Sequence, residues 1–188
     1  MVKDLSSIEL KTKRFMLNAL TLADVERIEE LTADSQVARY APIVPESFPR
    51  ISIPVWIVRN MMTMLEGKAL TLGIRLLENG ELAGVVAVSF SRAIYKAELS
   101  IWLGTHSTAQ QAEFEICHAV CKFAFESYNL NKITARHASK QPNIKAALLR
   151  LGMRAEGRLR QEYRYDYEWQ DVIVYGLLQQ DFVETPEI

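Results

Sequence analysis

The hydrophobic and polar positions of this chain change period repeatedly, and each change marks an element. Arg14–Leu20 reads as a short first strand. Thr21 and Asp24 have the spacing of a capping box, and Leu22, Val25, Ile28 and Leu31 recur at helical spacing, so a first helix is expected over Leu22–Thr32. Pro42, Pro45 and Pro49 break the next stretch into an irregular loop. Ser52 and Pro54 then open a second helix, carrying Trp56, Ile57, Met61, Met62 and Leu65, which Gly67 closes. Leu70, Leu72, Ile74 and Leu76 alternate with smaller or polar residues, and Asn79-Gly80 is a strong hairpin signal, which gives two antiparallel strands near 69–77 and 82–90. A strand at Ala97–Leu103, a long helix over 107–128, a strand at Lys132–His137 and a short helix from Pro142 to Leu151 follow. Gly152 ends that helix, and two strands near Arg154–Arg164 and Gln170–Leu178 finish the chain. The order β-α-α-β-β-β-α-β-α-β-β predicts an α+β architecture, a mixed sheet with helices on its faces.

The chain has 188 residues and is 49% apolar, enough for one sizeable core, and nothing in it resembles a linker or a repeat, so a single domain over 1–188 is expected. Lys and Arg number 22 against 23 acidic residues, without a long basic run, which makes nucleic acid an unexpected partner. The opening residues lack an apolar signal core, and the longest apolar stretch, around Leu82–Val88, is far short of a membrane span. The expectation is a cytoplasmic protein that does not enter a membrane. Cys117 and Cys121, four apart on one helix, read as reduced packing residues. With His118 they give a Cys-His-x-x-Cys string, but no second cluster completes a zinc site, so no metal is expected.

Several strings carry a more specific signal. Lys13–Leu17 (KRFML) opens the first strand and Asp34–Tyr40 (DSQVARY) follows the first helix. Further on come Glu98–Gly104 (ELSIWLG), Phe123–Ile133 (FAFESYNLNKI), Leu151-Gly152-Met153 with Glu156-Gly157-Arg158-Leu159-Arg160, and Asp171–Leu178 (DVIVYGLL). In this order and spacing, from about residue 10 to 183, they resemble the GNAT superfamily of N-acetyltransferases. The likeness is closest to the branch that acetylates ribosomal-protein N-termini. The resemblance implies a mostly antiparallel mixed sheet whose central parallel strand pair is splayed by a bulge, with helices on both faces. It also implies acetyl-CoA as co-substrate and an amine acceptor, either a protein N-terminus or a small amine. In such a fold the pantetheine arm pairs with the strand that ELSIWLG represents, here through the backbones of Ile101, Trp102 and Leu103.

The family holds the pyrophosphate at a helix N-terminus on a Gln/Arg-x-x-Gly-x-Gly/Ala pattern, where small residues let the backbone approach the phosphates. Gap-free alignment places Thr108, Ala109, Gln110, Gln111, Ala112 and Glu113 on it, with Gln111 replacing the middle glycine and Glu113 the terminal small residue. Ser107-x-x-Gln110 and Thr108-x-x-Gln111 each have a capping-box form, which would satisfy the amides a phosphate needs. A carboxylate about 4 Å from one phosphate charge would also repel it by roughly 4 kcal/mol at an effective dielectric near 20. Weakened cofactor binding is therefore expected.

For catalysis the resemblance maps a proton acceptor onto Glu98, whose other reading is a cross-strand ion pair. The usual Tyr and Ser donor positions fall on Leu148 and Ile144, neither of which can give a proton. Gln141 stands at the usual Asn position, and Asn143 takes that role if the Pro142 loop differs in length. His137 ends a strand beside the cleft and reads either as a base or as a packing residue. Tyr163, Tyr165, Tyr167 and Trp169 line either the acceptor side, the face of a strand pair or the contact of a homodimer. Two functions from different classes stay open: an acetyltransferase with an altered phosphate loop, or a non-catalytic GNAT-fold binding or regulatory protein.

Overall fold

The computed structural model describes residues 4–34, 37, 51–104, 112–138, 142–165 and 167–183. In them, eight strands form one sheet. They are β1 (Leu10–Lys11), β2 (Phe15–Ala19), β3 (Ala69–Leu76), β4 (Leu82–Ser91), β5 (Lys96–Leu103), β6 (Lys132–Ala138), β7 (Arg154–Tyr165) and β8 (Glu168–Leu178). The helices are α1 (Val25–Ala33), α2 (Ile53–Leu65), α3 (Ala112–Ser127) and α4 (Pro142–Arg150). The strands lie in the order β1-β2-β3-β4-β5-β6-β8-β7, antiparallel throughout except for the parallel pair β5–β6. The α+β expectation and its element order hold. The two-residue β1 and the short 3₁₀ turns at Arg92–Ile94 and Gln179–Asp181 have too few residues to show a period.

Strand alternation sorts the core into two layers. Leu70, Leu72, Val86, Val88, Leu99, Ile101, Ile133 and Tyr175 pack with Ile116, Val120 and Ala124 of α3 and Leu148 of α4. On the other face, Val85, Trp102, Ala138 and Val172 pack with Ile28 and Leu31 of α1 and Trp56 and Ile57 of α2. Helix α2 is apolar on more than its packed side, since Val55, Val58, Met61, Met62 and Leu65 are exposed.

Local chemistry fixes the ends of these elements. The first helix begins with a 3₁₀ turn over Leu22–Asp24, where Asp24 Oδ2 accepts from the Thr21 amide at 2.8 Å and from its hydroxyl at 3.2 Å. The same carboxylate receives two guanidinium nitrogens of Arg75 at 2.9 Å each, which ties the helix start to β3. Burial raises the Asp24 carboxyl, but Arg75 and Thr21 outweigh it and hold the group below its ordinary range. Arg14, just before β2, donates its amide and Nε to Glu115 of α3 at 2.8 and 2.7 Å, locking that helix to the sheet edge. Helix α4 stops at Gly152, whose φ of 88° only glycine adopts readily, while the Met153 amide reaches the Leu148 carbonyl at 3.1 Å.

The outer edges of the sheet are unequal. One is the short β1. The other is β7, whose register slips between Ala155 and Gly157 and again between Leu159 and Tyr163, and which carries Arg154, Arg158, Arg160 and Arg164.

Candidate active site

The parallel strands β5 and β6 pair only from Lys96↔Lys132 to Leu99↔Ala135. Both continue past that point, β5 to Leu103 and β6 to Ala138, so they part at their C-terminal ends as expected. The expected bulge is absent: β5 stays in unbroken register with β4 from Ser91↔Lys96 to Gly84↔Leu103. Gly84 supplies the physical reason. A side-chain carbon there would meet the Trp102 carbonyl and lie 2.9 Å from the Leu103 backbone, so the missing side chain lets β5 lean toward β4 without an extra residue.

The direction of the backbone groups follows from the ladder. The Gly104 amide donates to the Ala83 carbonyl at 2.9 Å, and antiparallel alternation then turns Trp102 toward β4 and Ile101 and Leu103 toward the β6 side. Beyond Leu99, that side is the opening. An extended ligand with alternating amide donors and acceptors fits such an edge, as an added strand would.

Helix α3 begins, within the described residues, at Ala112, which is buried, and Glu113, which is half-buried. The Cys117 thiol, one turn on, is pushed well above its ordinary range by burial first and then by the charges of Cys121 and Glu113. Burial pushes Cys121 up to about 12, so both cysteines are inert packing thiols. Thr108, Ala109, Gln110, Gln111 and Gln141 lie outside the described residues, as does the self-capping expected at Ser107 and Thr108. Asn143 is the second residue of α4. Among the described residues no group of three or more His, Cys, Asp or Glu side chains is arranged to hold a metal.

The structure places Glu98 on the α1–α2 face of β5, opposite Thr134 in register. Its carboxylate meets Arg136 Nε at 3.3 Å, and Arg136 also reaches Glu162 at 3.8 Å. Leu148 is 1% exposed and Ile144 packs against the same core, so both are built into the layer that holds α4. The aromatic cluster separates. Tyr163 is buried, whereas Tyr167 and Trp169 are exposed, with the Arg164 guanidinium 5.3 and 5.9 Å from their ring centres.

His137 is the most unusual group near the opening. It is 1% exposed and stacks on Tyr175 of β8 with ring centres 5.1 Å apart. Nδ1 lies 2.6 Å from the Ala138 carbonyl, and a carbonyl only accepts, so Nδ1 carries the proton and Nε2 a lone pair. Burial, and to a lesser degree Lys145, lower this imidazole below its ordinary range, against the opposing pull of the Ala138 carbonyl.

Residues 14–154 match the acetyltransferase (GNAT) domain model, and the chain belongs to that acetyltransferase family, whose co-substrate is acetyl-CoA. A relative from Bacillus licheniformis, described as an uncharacterised N-acetyltransferase, is 27% identical over 180 residues, covering 92% of this chain and 97% of its own. Among solved structures, a ribosomal-protein alanine acetyltransferase from Vibrio fischeri superposes with a TM-score of 0.77 at 13% identity, covering 94% of this chain and 100% of its own. A spermidine N-acetyltransferase from Vibrio cholerae, in complex with CoA and spermine, gives a TM-score of 0.75 at 19% identity, covering 89% and 96%. At these identities the two structures establish the fold.

Proposed function

We propose that the chain transfers an acetyl group from acetyl-CoA to an amine, and that its acceptor is a protein N-terminus or a small polyamine. The observation that carries this is the opening between β5 and β6, into which the backbones of Ile101 and Leu103 are directed. The pantetheine amides would pair there, and the thioester would sit where the strands part. An acceptor arriving as an ammonium ion loses one proton before it can attack, and Glu98, half-exposed and on the α1–α2 face, accepts it and passes it to water. Its pair with Arg136 holds the carboxylate in place. Asn143, and Gln141 by its alignment, would contact the cofactor at the start of α4. The names of the two solved neighbours supply both acceptor classes. A cytoplasmic location, with neither nucleic acid nor a membrane as partner, goes with this reading. No helix among the described residues is long and apolar enough to cross a membrane.

Cofactor affinity is low in this reading, because Glu113 and Gln111 stand where the family uses small residues. Ala112, between them, stands at an unrestricted position of the pattern and is buried. Calorimetric titration with acetyl-CoA tests this directly, with no saturation expected in the low micromolar range; a tight stoichiometric isotherm would overturn it. Mass spectrometry after incubation with millimolar acetyl-CoA, spermidine and peptides bearing free N-termini should find acetyl on one acceptor class.

A second reading, a GNAT-fold protein that binds but does not transfer, is favoured by one observation: Leu148 and Ile144 are committed to packing and offer no proton donor. It predicts cofactor binding with no acetylated product. Exposed Tyr167 and Trp169 would then serve a partner, a second copy of this chain included, and sedimentation measures that association.

A further inference from the structure

Removing Leu148 and Ile144 as donors leaves the departing thiolate without an acid, and the structure holds a buried imidazole beside the opening that nothing above uses. His137 lies on β6 two residues past the last β5–β6 pair, Leu99↔Ala135, so continuing the register sets it level with Ile101. Both project into the α3–α4 layer, where Ile101 belongs to the core and His137 lies on Tyr175. Among the described residues its Nε2 is a buried atom with no hydrogen-bond partner. Buried acceptors are almost always satisfied, and one left open at the point where two strands separate needs a reason. The Ala138 carbonyl fixes the tautomer, as an orienting group does for a catalytic base.

We propose that His137 is a catalytic residue that carries the second proton of the reaction, from the attacking nitrogen to the departing sulfur. This rests on the acetyl-CoA reading and completes it. The neutral amine forms the C–N bond to the thioester carbon, and its nitrogen gives a proton to Nε2. The C–S bond then breaks, its electron pair stays on sulfur, and the imidazolium Nε2–H protonates that thiolate to give CoA thiol and the amide. The first proton, from the ammonium, leaves through Glu98, so the two protons have separate acceptors and the histidine ends as it began.

The test observes Nε2 itself and needs no turnover. Long-range proton–nitrogen spectra of the ¹⁵N-labelled full chain resolve the imidazoles, and His137→Gln assigns the signal. Millimolar CoA, whose thiol donates to Nε2, should move the Nε2 resonance. Desulfo-CoA should move the backbone amides of Ile101 and Leu103 but leave Nε2 where it was. If CoA shifts those amides and not Nε2, or both ligands move Nε2 equally, the proposal is wrong while the cofactor reading stands. If neither ligand moves the Ile101 and Leu103 amides, the cofactor reading itself fails and the proposal with it. With an acceptor in hand, His137→Gln should lower kcat by about 100-fold, within the range for lost acid–base catalysis, and leave the KM for acetyl-CoA nearly unchanged. Unchanged kcat in a variant folded by circular dichroism would also overturn it.

Discussion

Asp24 and Glu98 are both carboxylates paired with arginine, and their surroundings assign them different work. Asp24 is almost buried and takes two bonds from Arg75, so breaking the pair strands a charge; Asp24→Asn should destabilise the fold by on the order of 3 kcal/mol in urea unfolding at neutral pH. Its folded carboxyl is held below the ordinary value, so the unfolded chain binds more protons as acid is added. The contribution is therefore complete above the unfolded value of about 4 and disappears as pH falls through the lower folded one. The gap between wild type and Asp24→Asn should shrink below about pH 4. Glu98 is half-exposed, and its ion pair in water contributes about 0 to 1 kcal/mol, so Glu98→Gln should barely change the urea midpoint. Its kcat should nevertheless fall about 100-fold, a split that a purely structural ion pair would not produce.

At the scale of elements, the cleft depends on how β5 leans. Gly84→Ala would put a methyl group against Trp102 and Leu103, destabilising the chain by about 1–3 kcal/mol and closing the edge the cofactor would use. A thermal melt combined with a CoA titration would register both losses. Most of the elements were legible in the sequence because alternation and helical spacing are carried by many residues at once, as in β3, β4 and α2. The splay was legible only through resemblance. Its structural basis, Gly84 opposite Leu103 in place of a bulge, was not, because a lone glycine in a strand has several meanings. For the site, the resemblance picked out Ile144 and Leu148 by their distance from Gly152, whereas the pairing of Glu98 with Arg136 crosses strands that sequence does not align. His137 was visible as a candidate, but its unmet Nε2 depends on burial and tautomer, which no pattern of residue types encodes. In the stretch aligned with the family's phosphate pattern, Gln111→Gly with Glu113→Ala should raise acetyl-CoA affinity by removing a like charge and allowing close backbone approach. Calorimetry on the folded double variant decides it, and unchanged affinity would show that this stretch does not limit binding.

For the whole molecule, ligand linkage gives a further measure. Occupancy at a hundred times Kd stabilises a fold by about 2.7 kcal/mol, so a cofactor bound only near millimolar concentrations should shift the melting temperature little until it reaches that range. The double variant should shift at lower concentrations. The unequal sheet edges described above have a separate consequence, for behaviour at high concentration. An exposed strand edge is a template on which copies of a chain can stack into fibrils. Here β1 is two residues long, and β7 is twisted out of register twice, with the Gln161 amide at φ 52° turned inward onto Asp171 at 2.8 Å. Four arginines along β7 would set like charges against each other if two copies met there. The native protein should therefore stay free of thioflavin-positive aggregate under conditions in which a variant with Arg158, Arg160 and Arg164 replaced by threonine forms it, and light scattering during concentration would show the difference.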